Sequence, residues 1–268
     1  KQKKGDAFMI TLILTSRVKD NPDSDMDNLL TSLQDCGGNE TNCEVLIKYD
    51  TDDDEAHTEE YFSKFPFKVK KFVWNRGEGR HGFHLDHFYL FSQRNRESKF
   101  VLLCADDFTF TRTGFIDDIL SIEDEYCFVG PRRPRVELYK NQWRLPHVME
   151  VWKHNEGVSL PCVSARCIEV LQNYGWQCNG DNWITLLQIM MFENYNVDMW
   201  KTVESFYIRN PTDGASGYGT SYNNMEMDGS KNPQNLYYYD LVAQQAKNLY
   251  LNIISDKLIN KYRETNEK

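Results

Sequence analysis

The sequence predicts an α/β fold: a doubly wound, mostly parallel sheet with a less regular second half and a long C-terminal helix. Over the first hundred residues, apolar runs alternate with stretches at helical spacing, which is typical of a parallel sheet with right-handed crossovers. The apolar runs are short and nearly continuous, as expected of strands that are buried on both faces.

Each element of the first half is predicted from its own pattern. Apolar runs predict strands at 8–15, 44–49, 67–73 and 100–104. Helical spacing predicts helices at 25–33, 55–64 and 81–96, and Asp25 stands where a helix cap is expected. The Gly-rich segment at 36–39 ends the first helix.

The second half gives a weaker pattern. It predicts helices at 113–121, 165–174 and 181–192, and strands at 126–130, 157–162 and 205–208. Residues 211–233 are rich in Gly, Ser and Asn and predict a long loop, which is unusual in a compact domain without a functional reason. The chain closes with a predicted helix at 236–262.

Size and charge exclude some classes of protein. The 268 residues, 40% of them hydrophobic, are expected to form one unit with parts at 1–110, 111–235 and 236–268. A net charge of −9 argues against a partner such as nucleic acid, whose binding proteins are basic. No apolar run is long enough for a transmembrane helix, and a cytoplasmic location is favoured.

The seven cysteines are scattered and form no C-x-x-C pair. Several lie inside apolar runs, where a free thiol behaves as a small hydrophobic group, so reduced thiols are expected. The alternative is a disulfide between Cys36 and Cys43 around the Gly-rich turn.

Asp106 and Asp107 form the most informative feature of the chain. They directly follow the apolar run at 100–104, and the carboxyl ends of parallel strands are where open α/β sheets bind ligands. Carboxylate oxygens suit Mg²⁺ or Mn²⁺, and Mg²⁺ commonly binds through one or two carboxylates plus substrate phosphates. The pair therefore indicates a metal and diphosphate site. A β-turn opened by the two aspartates is the alternative.

Three further segments accompany this pair in a fixed order. The first strand ends in Thr15-Ser16-Arg17, the second ends in Asp50, and Gly180-Asp181-Asn182-Trp183 opens a later helix. Together with the aspartate pair, this order resembles the GT-A-fold, Rossmann-like nucleotide-sugar glycosyltransferases. The likeness is strongest to the inverting family of SpsA-like enzymes and cellulose and chitin synthases, and it covers residues 8–210.

The resemblance implies a role for each matching residue. Thr15, Arg17 and Asp50 would contact the nucleoside, Asp106 the ribose and Asp107 the metal. The position that often carries the first aspartate of the metal motif is Cys104 here, which departs from the family pattern.

Three more roles come from the second half and from one loop. Asp181 would be the catalytic base, although Gly180 stands where the family usually has a glutamate. Arg80 and Arg209 would contact the nucleotide, with Arg209 at a phosphate-contacting position. A surface salt bridge is the alternative for Arg17 and Arg80.

Two other acidic positions keep alternatives that need no ligand. Asp181 could simply cap its helix, and Asp50 could be a turn residue. The acidic cluster at 52–54 is expected to be a solvated helix start rather than a set of ligands.

The implied activity is a metal-dependent transfer of a sugar from a nucleoside-diphosphate donor, with UDP-sugar favoured, to a hydroxyl of a glycan, glycoconjugate or other acceptor. A base on the acceptor side implies inversion, with Mn²⁺ or Mg²⁺ as cofactor. Two alternatives stay open: a sugar-1-phosphate nucleotidyltransferase, and a nucleotide- or sugar-binding module without catalysis. The turn after the first strand lacks the glycines of the former class.

Overall fold

A computed structural model describes most of the first half of the chain and parts of the second. The described residues are 8–16, 18, 25–53, 57–75, 82–131, 162–172, 184, 187–188, 191–192, 194–209 and 253–266. None of the helices within these ranges is long and apolar enough to cross a membrane.

The first half alternates strands and helices in the predicted order. Its elements are β1 (Met9–Ser16), α1 (Met26–Asp35), β2 (Cys43–Asp50), a 3-10 turn (Thr51–Asp53), α2 (Glu59–Phe62), β3 (Lys68–Trp74), α3 (Gly82–Ser92) and β4 (Ser98–Leu103).

Shorter elements follow in the second half. They are β5 (Thr109–Phe110), α4 (Phe115–Leu120), β6 (Phe128–Gly130), β7 (Cys162–Ser164), α5 (Ala165–Leu171), β8 (Trp200–Thr202), β9 (Ile208–Arg209) and a helix at residues 253–266.

Seven strands form one sheet in the order β3-β2-β1-β4-β7-β6-β8, and β5 pairs with β9 in a small second sheet. The pairs β3–β2, β2–β1, β1–β4 and β6–β8 are parallel, whereas β4–β7 and β7–β6 are antiparallel. From β1 the chain winds outward to β2 and β3, and then returns to place β4 on the other side of β1. The predicted doubly wound, mostly parallel α/β sheet is confirmed.

Alternate residues of the central strands face opposite layers of helices. Ile13 and Leu46 belong to a core with α3, α5 and the helix at 253–266, whereas Leu12 and Val45 belong to a core with α1, α2 and α4. Both faces of the sheet are therefore covered, which explains why its strands are continuous apolar runs.

The boundaries of α1 have local causes. The Asp25 side chain accepts a hydrogen bond from the backbone N–H of Asn28 at 3.1 Å, which confirms the predicted cap. The helix continues to Asp35, beyond the predicted end at 33, and the chain then turns at Gly37 with φ of +102°. Glycine adopts this left-handed conformation without a steric penalty.

The second half departs from the predicted boundaries. α5 ends at Leu171 rather than at 174 because Gln172 adopts a left-handed conformation with φ of +50°. The late strand predicted at 205–208 is wrong in position, since its pairing begins at Ile208, and β5 and β8 were not predicted. Strands of two or three residues are too short to show a periodic pattern. The predicted loop at 211–233, the predicted strand at 157–162 except for Cys162, and the part of the predicted helix at 236–262 that precedes residue 253 lie outside the described residues.

The six described cysteines are buried free thiols, as expected. The alternative of a Cys36–Cys43 disulfide is wrong, because each residue packs into the hydrophobic core as a thiol. Burial raises the pKa of Cys43 to about 12, so this thiol stays protonated and unreactive at neutral pH.

Candidate active site at the carboxyl edge of the sheet

β1 and β4 are parallel neighbours whose connections leave the sheet in opposite directions. Such a switch point opens a crevice at the carboxyl ends of the strands, where α/β proteins bind ligands. Ser16 ends β1, and Asp106 and Asp107 follow β4 after two residues. The sequence-predicted pair therefore lies at the position in the sheet that favours a ligand.

A buried hydrogen bond joins the two strand ends. The Ser16 hydroxyl donates to Oδ2 of Asp106 at 2.6 Å, and the two residues are 4% and 6% exposed. The backbone carbonyl of Asp106 accepts a hydrogen bond from the N–H of Asp25, the cap of α1, at 3.0 Å. Both the side chain and the backbone of Asp106 are thus held in place.

The segment after Asp107 is fixed by α1. The Asn28 amide donates to the Thr109 hydroxyl at 2.5 Å, and the Ser32 hydroxyl accepts from the backbone N–H of Phe110 at 3.0 Å. Asp107 itself is half-buried, whereas Asp106 is buried. Asp107 therefore stands half-buried on a turn whose following segment is held by α1.

Tyr49 lies beside this pair on the same face of the sheet. Its hydroxyl lies 2.9 Å from Nδ1 of His57, and Tyr49 is the register partner of Ser16 in β1. Burial raises the pKa of Tyr49 above its usual range, the neighbouring Ser16 lowers it, and the charge of Asp106 raises it further. The phenol therefore stays neutral between Ser16 and His57.

One expectation from the sequence is wrong at Asp53. The acidic cluster was expected to be solvated, but Asp53 is 7% exposed and its Oδ2 accepts a 2.6 Å hydrogen bond from the backbone N–H of Val18. This bond ties the turn after β2 to the loop after β1. Asp52 is exposed, as expected, and 54 lies outside the described residues.

Asp50 ends β2 on the opposite face from Ser16 and Tyr49. It is buried, and Oδ1 of its carboxylate forms an ion pair with the ammonium of Lys48. Asp86 of α3 also lies 3.6 Å from that ammonium, and its carboxylate accepts a hydrogen bond from the indole of Trp74. Asp50 is therefore a fixed carboxylate at the end of a strand.

Cys104 does not take the place of the missing aspartate of the metal motif, because it is buried and packs in the hydrophobic core with Leu102 and Phe108. Burial also raises the pKa of its thiol well above the usual range. Any metal held here would use the carboxylates that follow.

The carboxylates of Asp106 and Asp107 could hold a divalent cation together with ligands from outside the pair. Within the described ranges, no cluster of three or more His, Cys, Asp or Glu side chains could hold a metal ion. Asp107 with Asp106 beside it supplies the hard oxygen donors that Mg²⁺ and Mn²⁺ prefer, and such ions take their other ligands from water and substrate phosphates.

The structure brings four of the predicted site residues to one edge of the sheet. Thr15, Asp50, Asp106 and Asp107 all lie at carboxyl ends of strands β1, β2 and β4. The backbone of Arg209 reaches the same region because it pairs with Thr109, two residues after Asp107. Arg17, Arg80 and Asp181 lie outside the described residues.

Ser16, Lys48 and Asp53 were not assigned a role from the sequence. The ion pair of Lys48 could have been predicted from the sequence, because a lysine inside a strand buried on both faces needs a charged partner. Asp50, at the end of the same strand, is that partner. The contacts of Ser16 and Asp53 join segments that are far apart in the chain, and a single sequence gives no sign of such pairs.

Comparisons with known proteins show the same architecture. No protein-family model matches the chain, and no curated protein matches it by sequence. Among solved structures, TarS 1-349 from S. aureus matches at 14% identity and TM-score 0.52, covering 97% of this chain and 73% of that one. The same protein in complex with UDP-GlcNAc matches with the same identity and TM-score over 96% of this chain and 73% of that one. The mannosyltransferase PcManGT from Pyrobaculum calidifontis, in complex with GDP-Man and Mn²⁺, matches at 11% identity and TM-score 0.50, covering 97% of this chain and 77% of that one.

The chain has the fold of these glycosyltransferases. At identities of 11–14% the likeness establishes the fold and not the substrate. The chain spans 58% of TarS 1-349 in its UDP complex and 35% of the longer TarS structure. The activity, substrates and partners of those proteins therefore extend to this chain only as a proposal.

Proposed function

We propose that the protein is a metal-dependent glycosyltransferase that moves a sugar from a nucleoside-diphosphate donor to a hydroxyl acceptor with inversion. The single observation that carries this proposal is the Ser16–Asp106 hydrogen bond at the switch point, with Asp107 beside it. It supplies a fixed carboxylate pair where a diphosphate and its cation would lie.

The ligands of the structural neighbours support the same class of donor. TarS 1-349 binds UDP-GlcNAc and PcManGT binds GDP-Man with Mn²⁺. The sequence motifs resemble the SpsA-like inverting family, and this resemblance favours a UDP-sugar among these donors. We therefore infer a nucleotide-sugar donor, a UDP-sugar by preference, with a glycan, glycoconjugate or other hydroxyl compound as acceptor.

Each residue has a proposed task at the donor site. Asp106, held by Ser16, would accept hydrogen bonds from the ribose hydroxyls, and Thr15, Arg17 and Asp50 would contact the nucleoside. Asp107 would hold Mn²⁺ or Mg²⁺, which as a Lewis acid stabilises the negative charge of a departing diphosphate.

The remaining residues would complete the donor site. Arg209 and Arg80 would add charged hydrogen bonds to the phosphates. The β5–β9 pairing supports the placement of Arg209, because its backbone lies beside Thr109 in the segment that follows Asp107.

The transfer step needs a base for the acceptor. In the proposed reaction the acceptor oxygen forms a bond to the anomeric carbon while the bond from that carbon to the diphosphate oxygen breaks. Asp181 would accept the proton of the acceptor hydroxyl, a contribution typically of about 10²–10⁴-fold in rate. A direct displacement of this kind inverts the configuration of the anomeric carbon.

Ligand-induced thermal stabilisation tests the donor site first. We expect one nucleoside diphosphate, UDP by preference, to raise the melting temperature by several degrees with Mn²⁺, because a ligand that binds only the folded state stabilises it. Asp107→Asn should remove the shift. Asp117→Asn, at an exposed position on α4, is the matched control and should keep it.

Activity is tested with the same variants and with Asp181→Asn by release of the nucleoside diphosphate from a panel of nucleotide sugars. Release that depends on Mn²⁺ and on both Asp107 and Asp181 would support the proposal. If no nucleotide shifts the melting temperature of the wild-type protein, the donor-site proposal is wrong and the aspartate pair is a structural turn.

A further inference from the structure

Lys48 lies in a buried group of charged side chains beside Asp50. The side chains of Lys48, Asp50 and Asp86 are 4%, 8% and 13% exposed. The Lys48 ammonium pairs with Oδ1 of Asp50 and lies 3.6 Å from Oδ2 of Asp86. The Trp74 indole N–H donates to Oδ1 of Asp86 at 2.7 Å, and its ring centre lies 5.7 Å from the ammonium. We call these four residues the Lys48 cluster.

Stability does not explain why β2 carries such a group. Removing charges from water costs several kcal/mol per ion, and replacing a buried ion pair or triad by apolar side chains of similar size is often neutral or stabilising. The neighbouring strand residue Leu46 shows that the same face of β2 accepts an apolar side chain. A structural role alone would therefore be met more simply by a hydrophobic residue at position 48.

The placement of the cluster distinguishes it from the ion pair between Glu44 of β2 and Lys70 of β3. Glu44, at the amino end of the strand, pairs with Lys70 at 3.0 Å and also accepts from the Thr11 hydroxyl and the Asn95 backbone. Asp50 ends the same strand at the edge where the switch point opens. The two lysine–carboxylate pairs thus involve opposite ends of β2, and only that of Asp50 lies at the carboxyl edge of the sheet.

A series of side-chain contacts fixes the orientation of the Asp50 carboxylate. Trp74 is the register partner of Asp50 in β3, and its indole holds Asp86. Asp86 in turn lies against the ammonium that holds Asp50. The orientation of the Asp50 carboxylate is therefore set by side chains from β2, β3 and α3 together.

We propose that Lys48 is a positioning residue for nucleotide binding, whose ammonium holds the Asp50 carboxylate in the orientation that contacts the nucleoside of a nucleoside diphosphate. The inference rests on the proposed function and adds to it the residue that orients Asp50. An ionised carboxylate only accepts hydrogen bonds, so its partner would be an N–H or O–H of the nucleoside.

The experiment compares a ligand that has a base with one that lacks it. Affinities for UDP and for inorganic pyrophosphate, each with Mn²⁺, are measured by calorimetry for the wild type, Lys48→Met, Asp50→Asn and the double variant. We expect Lys48→Met to weaken UDP binding about tenfold, equivalent to about 1.4 kcal/mol, and to leave pyrophosphate binding unchanged. We also expect the double variant to bind UDP no more weakly than Asp50→Asn, because Lys48 acts through Asp50.

Two further variants distinguish a specific loss of binding from a loss of folding. Lys70→Met breaks the ion pair between β3 and Glu44 of β2 and is the control; it should keep its UDP affinity. Trp74→Phe keeps an aromatic ring but removes the N–H that holds Asp86. It should weaken UDP binding less than Lys48→Met does, again without effect on pyrophosphate, and it replaces Lys48→Met if that variant does not fold.

Three outcomes would overturn the inference and leave the proposed function standing. Unchanged UDP affinity in Lys48→Met and Trp74→Phe would show that Asp50 needs no positioning. An equal loss for UDP and pyrophosphate would indicate a general structural defect, and additive losses in the double variant would show that Lys48 does not act through Asp50. A wild-type protein that binds pyrophosphate with Mn²⁺ but no nucleoside diphosphate would instead overturn the proposed function, and this inference with it.

Discussion

The Ser16 hydroxyl donates a 2.6 Å hydrogen bond to Oδ2 of Asp106, across the two strands between which the sheet reverses its winding. Ser16 belongs to the first strand and Asp106 follows the fourth, so the contact forms only when the parallel sheet is complete. Since a hydroxyl donor orients a carboxylate, this bond is expected to matter for ligand binding as well as for folding.

Ser16→Ala should weaken binding of a nucleoside diphosphate. A hydrogen bond to a charged group contributes about 1.5–3 kcal/mol, and part of that loss should appear as about tenfold weaker affinity because Asp106 is no longer oriented. Calorimetric titration with UDP and Mn²⁺ measures the change.

Ser98→Ala is the matched control for Ser16→Ala. Ser98 is also buried and hydrogen-bonded, but it begins β4 at the amino edge of the sheet. It should lower stability without changing affinity. If the two variants bind equally well, the Ser16–Asp106 bond has no role in the site.

The sequence was sufficient to predict the fold of the first half but only part of the site. The strands ending at Ser16, Asp50 and Leu103 are long apolar runs, and their alternation with helices implies a parallel sheet whose carboxyl ends share one edge. The residues that end strands were therefore predictable as neighbours. The contacts behind them, such as that between Asp86 and Lys48, depend on how α3 packs on the sheet, and helix packing leaves no pattern in one sequence.

The short strands of the second half were not predicted correctly, for a related reason. β8 and β9 contain three and two residues, and each exists because a neighbouring strand supplies its hydrogen bonds. The pairing of Arg209 with Thr109 is tertiary in origin, so the region around the aspartate pair could be completed only from the structure.

Metal binding should depend on the nucleotide. Because the described part of the chain has no cluster of three or more metal-binding side chains, Asp107 and its neighbour can supply only part of a coordination shell, and a diphosphate would supply more of it. We expect calorimetry to show weak binding of Mn²⁺ alone and clearly tighter binding with UDP present.

Asp107→Asn should abolish the tighter phase of Mn²⁺ binding, since an amide oxygen is a poorer ligand for a hard cation. Asp117→Asn should behave as the wild type. Tight binding of Mn²⁺ to the wild-type protein without nucleotide would contradict this picture, because it would require a cation site built from protein ligands alone.

Stability should fall as the pH falls through the range of histidine titration. Burial lowers the pKa of His57 below its usual 6.5, the charges of Asp27 and Asp53 partly oppose this, and Lys71 and Lys64 add to it. Between the folded and unfolded pKa values the unfolded state binds more protons, so the contribution is complete above the unfolded value and is lost as the pH drops below it.

His57→Gln should reduce this dependence. Melting temperatures measured from pH 8 to pH 5 should fall less steeply for the variant than for the wild type, because a group that titrates differently in the two states has been removed. Parallel curves for the two proteins would show that His57 is not protonated differently in the folded and unfolded states.

Glu44 offers a test of stability that should leave the site untouched. It is 2% exposed, and its carboxylate accepts hydrogen bonds from the Thr11 hydroxyl at 2.9 Å and the Asn95 backbone at 2.5 Å while pairing with Lys70. Glu44→Ala removes every one of these acceptors. Removing one partner of a buried ion pair typically costs about 3–5 kcal/mol, so the midpoint of urea unfolding should fall strongly.

Glu44→Gln separates the charge from the hydrogen bonds. The amide keeps an acceptor for Thr11 and Asn95 but loses the ion pair with Lys70, so we expect a smaller loss of about 1–2 kcal/mol. UDP affinity should stay unchanged in both variants, because Glu44 and Asp50 lie at opposite ends of β2, about 20 Å apart at the usual rise per residue. A loss of affinity that scales with the loss of stability would show that the carboxyl edge is not independent of the amino edge, and that the Ser16 and Lys48 variants report general stability.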